Sequence, residues 1–164
     1  LELDRAAIEH IRALKETDCE LAYLAMLPRE GLKPLSRWEK PLGERDLDAL
    51  QQMGLQTRLL RRTVKTGKSL IEAIFGPAPA CLDIYVDRFA ERPVDKSPET
   101  VRIEGFLFGY PPCCVEQYAQ QPYAPNDLPE ATQKILFHWA CKGCRITPLL
   151  LPAYGRIHRL VEAY

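Results

Sequence analysis

The chain has 164 residues, 46% of them apolar and 27% charged, with Lys+Arg and Asp+Glu both at 22. That length suits a single domain over 1–164 with a core large enough to need no staples, and the composition excludes a disordered or fibrous chain. Zero net charge excludes a bulk pull toward nucleic acid or acidic lipid, and no apolar run approaches the ~20 residues of a bilayer span.

Residues 4–27 carry Ala7, Ile11, Leu14 and then Leu21, Leu24, Ala25 at helical spacing, which predicts helix. Thr17-Asp18 breaks the run and caps a second helix, and Pro28 stops it. "PREGLKPLSRWEKPLG" is rich in Pro and Gly and reads as an irregular connection. "ERDLDALQQMG" is a short helix with Leu47, Leu50 and Met53 on one face and Gly54 at its end. "LQTRLLRRTVKTGKSLIEAIFGP" reads as two strands around Thr66-Gly67, and "ACLDIYVDR", with Leu82, Ile84 and Val86 alternating, as a third strand. Ser97 then caps a helix with Pro98 at its first position, and Gly109 ends it. Pro112 starts another helix through "CCVEQYAQQ". "EATQKILFHWACKG" reads as a helix ended near Gly143, and "PLLLPAYGRIHRLVEAY" as the last one. The expected class is α+β: a scaffold over 1–96 with N-terminal helices and a small antiparallel sheet, then a helical, cysteine-containing half over 97–164.

The unusual chemistry lies in that second half, at "GYPPCCVEQY" and "HWACKGC". The double proline restricts the backbone before Cys113 and Cys114 and places both thiols in a first helical turn, where free N–H groups and the helix dipole favour thiolate. The helical wheel sets Cys114 at the edge of the apolar side with Val115 and Tyr118, and Cys113 on the polar side. Cys141-Lys142-Gly143-Cys144 is a C-x-x-C element whose glycine permits a tight turn, and His138 stands three residues before it. The N-terminus, "LELDRAAIEHIRALKE", has no secretory pattern, so a cytoplasmic setting is expected. There paired cysteines point to metal or redox chemistry rather than to disulfides. The leading expectation is a zinc site built from Cys113, Cys114, Cys141 and Cys144, with His138 replacing a thiolate if the adjacent pair cannot both reach one ion. An iron–sulfur cluster is the alternative cofactor, and a thiol–disulfide enzyme using Cys113 or Cys141 is a further alternative. A C-x-x-C at a helix end, rather than at a helix start, counts against that last reading. Cys19 and Cys81 fall in apolar patterns and read as buried, inert thiols.

A nucleic-acid-binding module is the other class in play, through Arg58, Arg61, Arg62 and Lys65 in the basic 58–68 segment. The competing reading is a solvated hairpin edge, where positive charge blocks edge-to-edge pairing. "TGKS" is not a phosphate-binding loop, because Arg62 stands where that motif requires glycine. Arg156, His158 and Arg159 read as a charged face of the last helix.

The segment "GFLFGYPPCCVEQY" resembles a poorly characterised family of small proteins of unknown function that carry a G-Y-P-x-C-C-V motif. The resemblance covers about 40 residues. It implies that Gly109, Tyr110, Pro111, Cys113 and Cys114 form one unit, and it transfers no reaction.

Overall fold

The computed structural model describes residue 3 and residues 5–164. Helices α1 (Arg5–Thr17) and α2 (Cys19–Arg29) break where expected, at Asp18, whose carboxylate accepts from the Glu20 N–H at 2.9 Å. Pro28 lies inside the last turn of α2 instead of beyond it. A proline there cannot bond the carbonyl four residues back, and the Ser36 hydroxyl supplies that bond to the Leu24 carbonyl at 2.7 Å.

Ser36 opens a strand where the sequence predicts irregular chain. Strand β1 (Ser36–Trp38) is followed by α3 (Glu44–Gln52), β2 (Gln56–Thr63) and β3 (Ser69–Gly76). The sheet is antiparallel in the order β1-β3-β2, with Arg37 opposite Ile74 and Leu60 opposite Glu72. Gly67, at φ +80°, turns the β2–β3 hairpin as the sequence predicts. The third strand is therefore β1. Residues 79–89, expected as a strand, form helix α4 (Pro79–Phe89). Leu82, Tyr85 and Phe89 are its buried face, and Ile84, which a strand would have buried beside Leu82, is exposed. The chain continues through α5 (Pro98–Leu107), α6 (Pro112–Gln120), the single turn α7 (Glu130–Lys134) and α8 (Thr147–Ala163). The α+β class holds.

The sheet divides two cores. Ala73 and Phe75 face a cluster built from α1, α2, α3 and α8, including Leu14, Leu21, Leu50 and Tyr154. Leu60 and Ile74 face Leu82, Tyr85, Phe89 and Phe108. The second core holds charge. Arg62, 1% exposed, lies 3.6 Å from Glu72 and 3.5 Å from Glu104, and the Tyr85 hydroxyl donates to Glu72 at 2.8 Å. Burial raises the Glu72 carboxyl above its ordinary range, against the lowering pull of the Tyr85 bond and of Arg37 and Arg62.

This arrangement corrects the basic stripe. Arg62 is sealed under the sheet and spent on carboxylates, Arg58 is half-buried with Asp83 at 3.6 Å, and Arg61 and Lys65 alone are exposed. The four do not make one surface for a polyanion. No helix among the described residues is long and apolar enough to cross a membrane.

Candidate metal centre

Helix α5 ends in a reversal that aims the chain at the cysteines. Gly109 at φ +68° donates to the Phe106 carbonyl at 3.1 Å, and Tyr110 to the Gly105 carbonyl at 2.8 Å. This pair of bonds closes a helix when the residue past its end adopts a left-handed backbone, which glycine does without strain. Pro111 and Pro112 then set the start of α6, where Cys113 and Cys114 occupy the first turn. Cys113 is exposed and Cys114 buried, as the helical wheel predicts.

The second pair does not close a helix. Residues 135–146 are not helical, and His138 and Cys141 stand on irregular chain. A tight turn, closed by the Cys144 N–H on the Cys141 carbonyl at 3.2 Å and helped by Gly143 at φ +67°, carries the C-x-x-C element to the start of α8. The C-x-x-C element, expected at a helix end, precedes a helix instead.

Cys113, Cys114, Cys141 and Cys144 converge so that their sulfurs all lie within 4.8 Å of one another. Cys144 Sγ is 3.7 Å from Cys113 Sγ and 3.5 Å from Cys114 Sγ, so the adjacent cysteines do reach a common partner. The cluster sits between the N-termini of α6 and α8, both of which favour negative charge. Backbone N–H groups point at the sulfurs, from Cys141 to Cys114 Sγ at 3.3 Å and from Thr147 to Cys144 Sγ at 3.3 Å.

These contacts split the thiols. Burial pushes the Cys114 thiol up to about 11 and the Cys141 thiol well above the usual range. For Cys144 burial also pushes upward, but its hydrogen bonds with the Thr147 hydroxyl and N–H outweigh it and bring the thiol down to about 6. Burial thus holds Cys114 and Cys141 toward the thiol form, and the hydrogen bonds at Cys144 turn it toward the thiolate.

His138 is not one of the four converging groups. Its Nε2 lies 3.0 Å from Thr147 Oγ1, which itself contacts Cys144 Sγ at 3.2 Å and Cys114 Sγ at 3.6 Å. The histidine therefore supports the cluster through a hydroxyl. Burial, then the charge of Lys33, lowers its pKa to about 4 and keeps the ring neutral.

Sequence reasoning missed Thr147 and Lys33. The available signal for Thr147 was its place three residues after Cys144, where a helix-opening hydroxyl turns back on the preceding chain. Lys33 gave none. It is buried with its Nζ 4.8 Å from the Phe137 ring centre and 5.5 Å from those of Phe108 and Tyr110. Burial first, and Arg37 second, lower its pKa to about 7. Cys81 is half-buried, and Cys19, expected inside, is exposed at the first position of α2.

Comparison with family models, with curated proteins and with solved structures finds no match to the chain.

Proposed function

We propose that this is a metal-binding protein in which one zinc ion, held by Cys113, Cys114, Cys141 and Cys144, joins the start of α6 to the chain entering α8. One observation carries the reading: four thiols of a six-cysteine chain meet within 4.8 Å. A tetrahedral ion with bonds of ~2.3 Å holds its sulfurs ~3.8 Å apart, close to the 3.5 Å and 3.7 Å separations around Cys144. A cubane iron–sulfur cluster places each thiolate on a different iron and so spreads its sulfurs further, which favours the single ion. A closed set of four thiolates marks a structural site, since catalytic zinc keeps a position for water or substrate. The N–H and hydroxyl donors around the sulfurs disperse the negative charge that four thiolates leave on the centre. The resemblance at Gly109–Cys114 fits this reading: that stretch is the arm that delivers two ligands.

Elemental analysis and an absorption spectrum of protein purified without oxygen test it. One zinc per chain and no visible colour are expected, with Cys114→Ser and Cys144→Ser each losing the metal and lowering thermal stability. Iron with labile sulfide would replace the ion by a cluster. Metal-free protein with a reversible disulfide among the four would make it a dithiol enzyme.

A further inference from the structure

The four sulfurs of the cluster are not equally placed. Cys114 is buried, Cys141 and Cys144 are half-buried, and Cys113 is exposed. The backbone donors are unequal too. The Cys141 N–H reaches Cys114 Sγ and the Thr147 N–H reaches Cys144 Sγ, each at 3.3 Å. Among the described residues, no N–H reaches Cys113 Sγ, and its neighbour at 3.7 Å is another sulfur, Cys144 Sγ.

Both differences act on the chemistry of the sulfur. A hydrogen bond draws charge from a thiolate and lowers its nucleophilicity, and burial shields a sulfur from any reagent in water. Among the described residues Cys141 Sγ lacks an N–H donor as well, but it is half-buried. Of the four, Cys113 alone combines a sulfur free of N–H bonds with an open side.

We propose that Cys113 is the site at which a hydroperoxide oxidises this centre, forming a Cys113–Cys144 disulfide that expels the zinc and frees the start of α6 from the chain entering α8. The release of zinc rests on the metal reading; the exposure of Cys113 and its approach to Cys144 do not. The Cys113 sulfur attacks one peroxide oxygen: an S–O bond forms, the O–O bond breaks, and the other oxygen leaves with a proton from water. The Cys144 thiolate then attacks that sulfur: the S–S bond forms, the S–O bond breaks, and hydroxide leaves and is protonated. The two thiolates lose two electrons in all, and the peroxide gains them and ends as water and an alcohol, or as two waters from hydrogen peroxide. Cys114 is excluded as the partner by covalent geometry, since adjacent residues hold their Cα atoms ~3.8 Å apart, short of the ~4.4–6.8 Å that an unstrained disulfide spans.

The test uses the full chain loaded with zinc, its metal content measured on the same sample. One equivalent of hydrogen peroxide is added beside a chromophoric zinc chelator, free thiols are then blocked, and the peptides are mapped by mass spectrometry. Zinc release is expected to match the formation of a Cys113–Cys144 disulfide, and a reductant with added zinc should restore the loaded form. Cys19 is exposed as well but stands outside the cluster, so it reports what exposure alone does: it should stay free, and Cys19→Ser should release zinc at the wild-type rate. Cys113→His, which offers a nitrogen ligand in place of the oxidisable sulfur, should release zinc about tenfold more slowly. If Cys113→His holds no zinc, the wild-type map decides alone. Oxidation of Cys19 ahead of Cys113, a first disulfide other than Cys113–Cys144, or a zinc-loaded chain that keeps its metal would each overturn the proposal and leave the metal centre standing. A chain that takes up no zinc would overturn the metal reading, and this proposal with it.

Discussion

Thr147 connects the two parts of the site. Its hydroxyl lies 3.2 Å from Cys144 Sγ and 3.0 Å from His138 Nε2, and its own N–H reaches Cys144 Sγ at 3.3 Å. Thr147→Val keeps the shape and the N–H but removes the hydroxyl. Groups that orient metal ligands in this way change affinity by about 10–100-fold when lost. A loss in that range is expected in competition with a chromophoric zinc chelator, with Thr147→Ser close to wild type; an unchanged affinity for Thr147→Val would remove the threonine from the account. Lys33 gives a second prediction at this scale. Its folded pKa, lowered to about 7, is below the ~10.4 of an unfolded lysine. Between those values the unfolded chain holds a proton that the folded chain has released, so stability rises with pH across that window. Relative to Lys33→Met, the wild type should gain in urea midpoint from pH 7 to pH 9, and parallel curves for the two proteins would contradict it. The cysteines and their pairing were legible at the residue scale because each is a distinctive type at a short spacing. The part played by His138 was not, because a helix over 130–143 would have turned it toward Cys141, whereas the irregular chain turns it to Thr147.

Helices α5 and α6 pack closely because Gly105 has no side chain. A Cβ built there would stand 2.4 Å from Val115 Cγ2, and a β-branched side chain cannot swing aside. Arg102 and Glu116 clasp the same two helices through a forked ion pair, both bonds at 2.9 Å. Gly105→Ala adds helix propensity worth ~0.5–1 kcal/mol, but the overpacking costs about 1–3 kcal/mol. The net expectation is a lower urea midpoint and weaker zinc retention, both restored by Val115→Ala in the same chain; a stabilised Gly105→Ala protein would contradict it. The misread elements have particular causes. In α4, Leu82, Ile84 and Val86 alternate as a strand would, but the burial follows Leu82, Tyr85 and Phe89. β1 is only Ser36–Trp38 within proline-rich chain, too short for a pattern to declare itself, and it is defined by its pairing with Ala73–Phe75 of β3. The helices α1, α2, α3, α5, α6 and α8 were legible from apolar spacing, from the caps Asp18 and Ser97 of α2 and α5, or from the proline that opens α6.

At the scale of the whole molecule the two cores draw on chain from both sides of residue 96. Tyr154, Ile157 and Val161 of α8 belong to the same core as Ile11, Leu14 and Leu21, and Lys15 donates to the Val161 carbonyl at 2.7 Å. The α6 arm, in contrast, leans on α5 and the second core, where Phe108 packs with Tyr85 at 5.8 Å between ring centres. The cysteine cluster stands where the chain leaving one core meets the chain returning to the other, and the proposed ion would tie the two. This long-range closure was only half legible: spacing can say that two pairs of thiols suit one ion, but not that folding brings them together. X-ray absorption at the zinc edge of the purified full chain reads the ligand set itself. Four sulfurs at ~2.3 Å from the ion are expected. A shell containing nitrogen at ~2.0–2.1 Å, or no zinc to measure, would contradict that expectation.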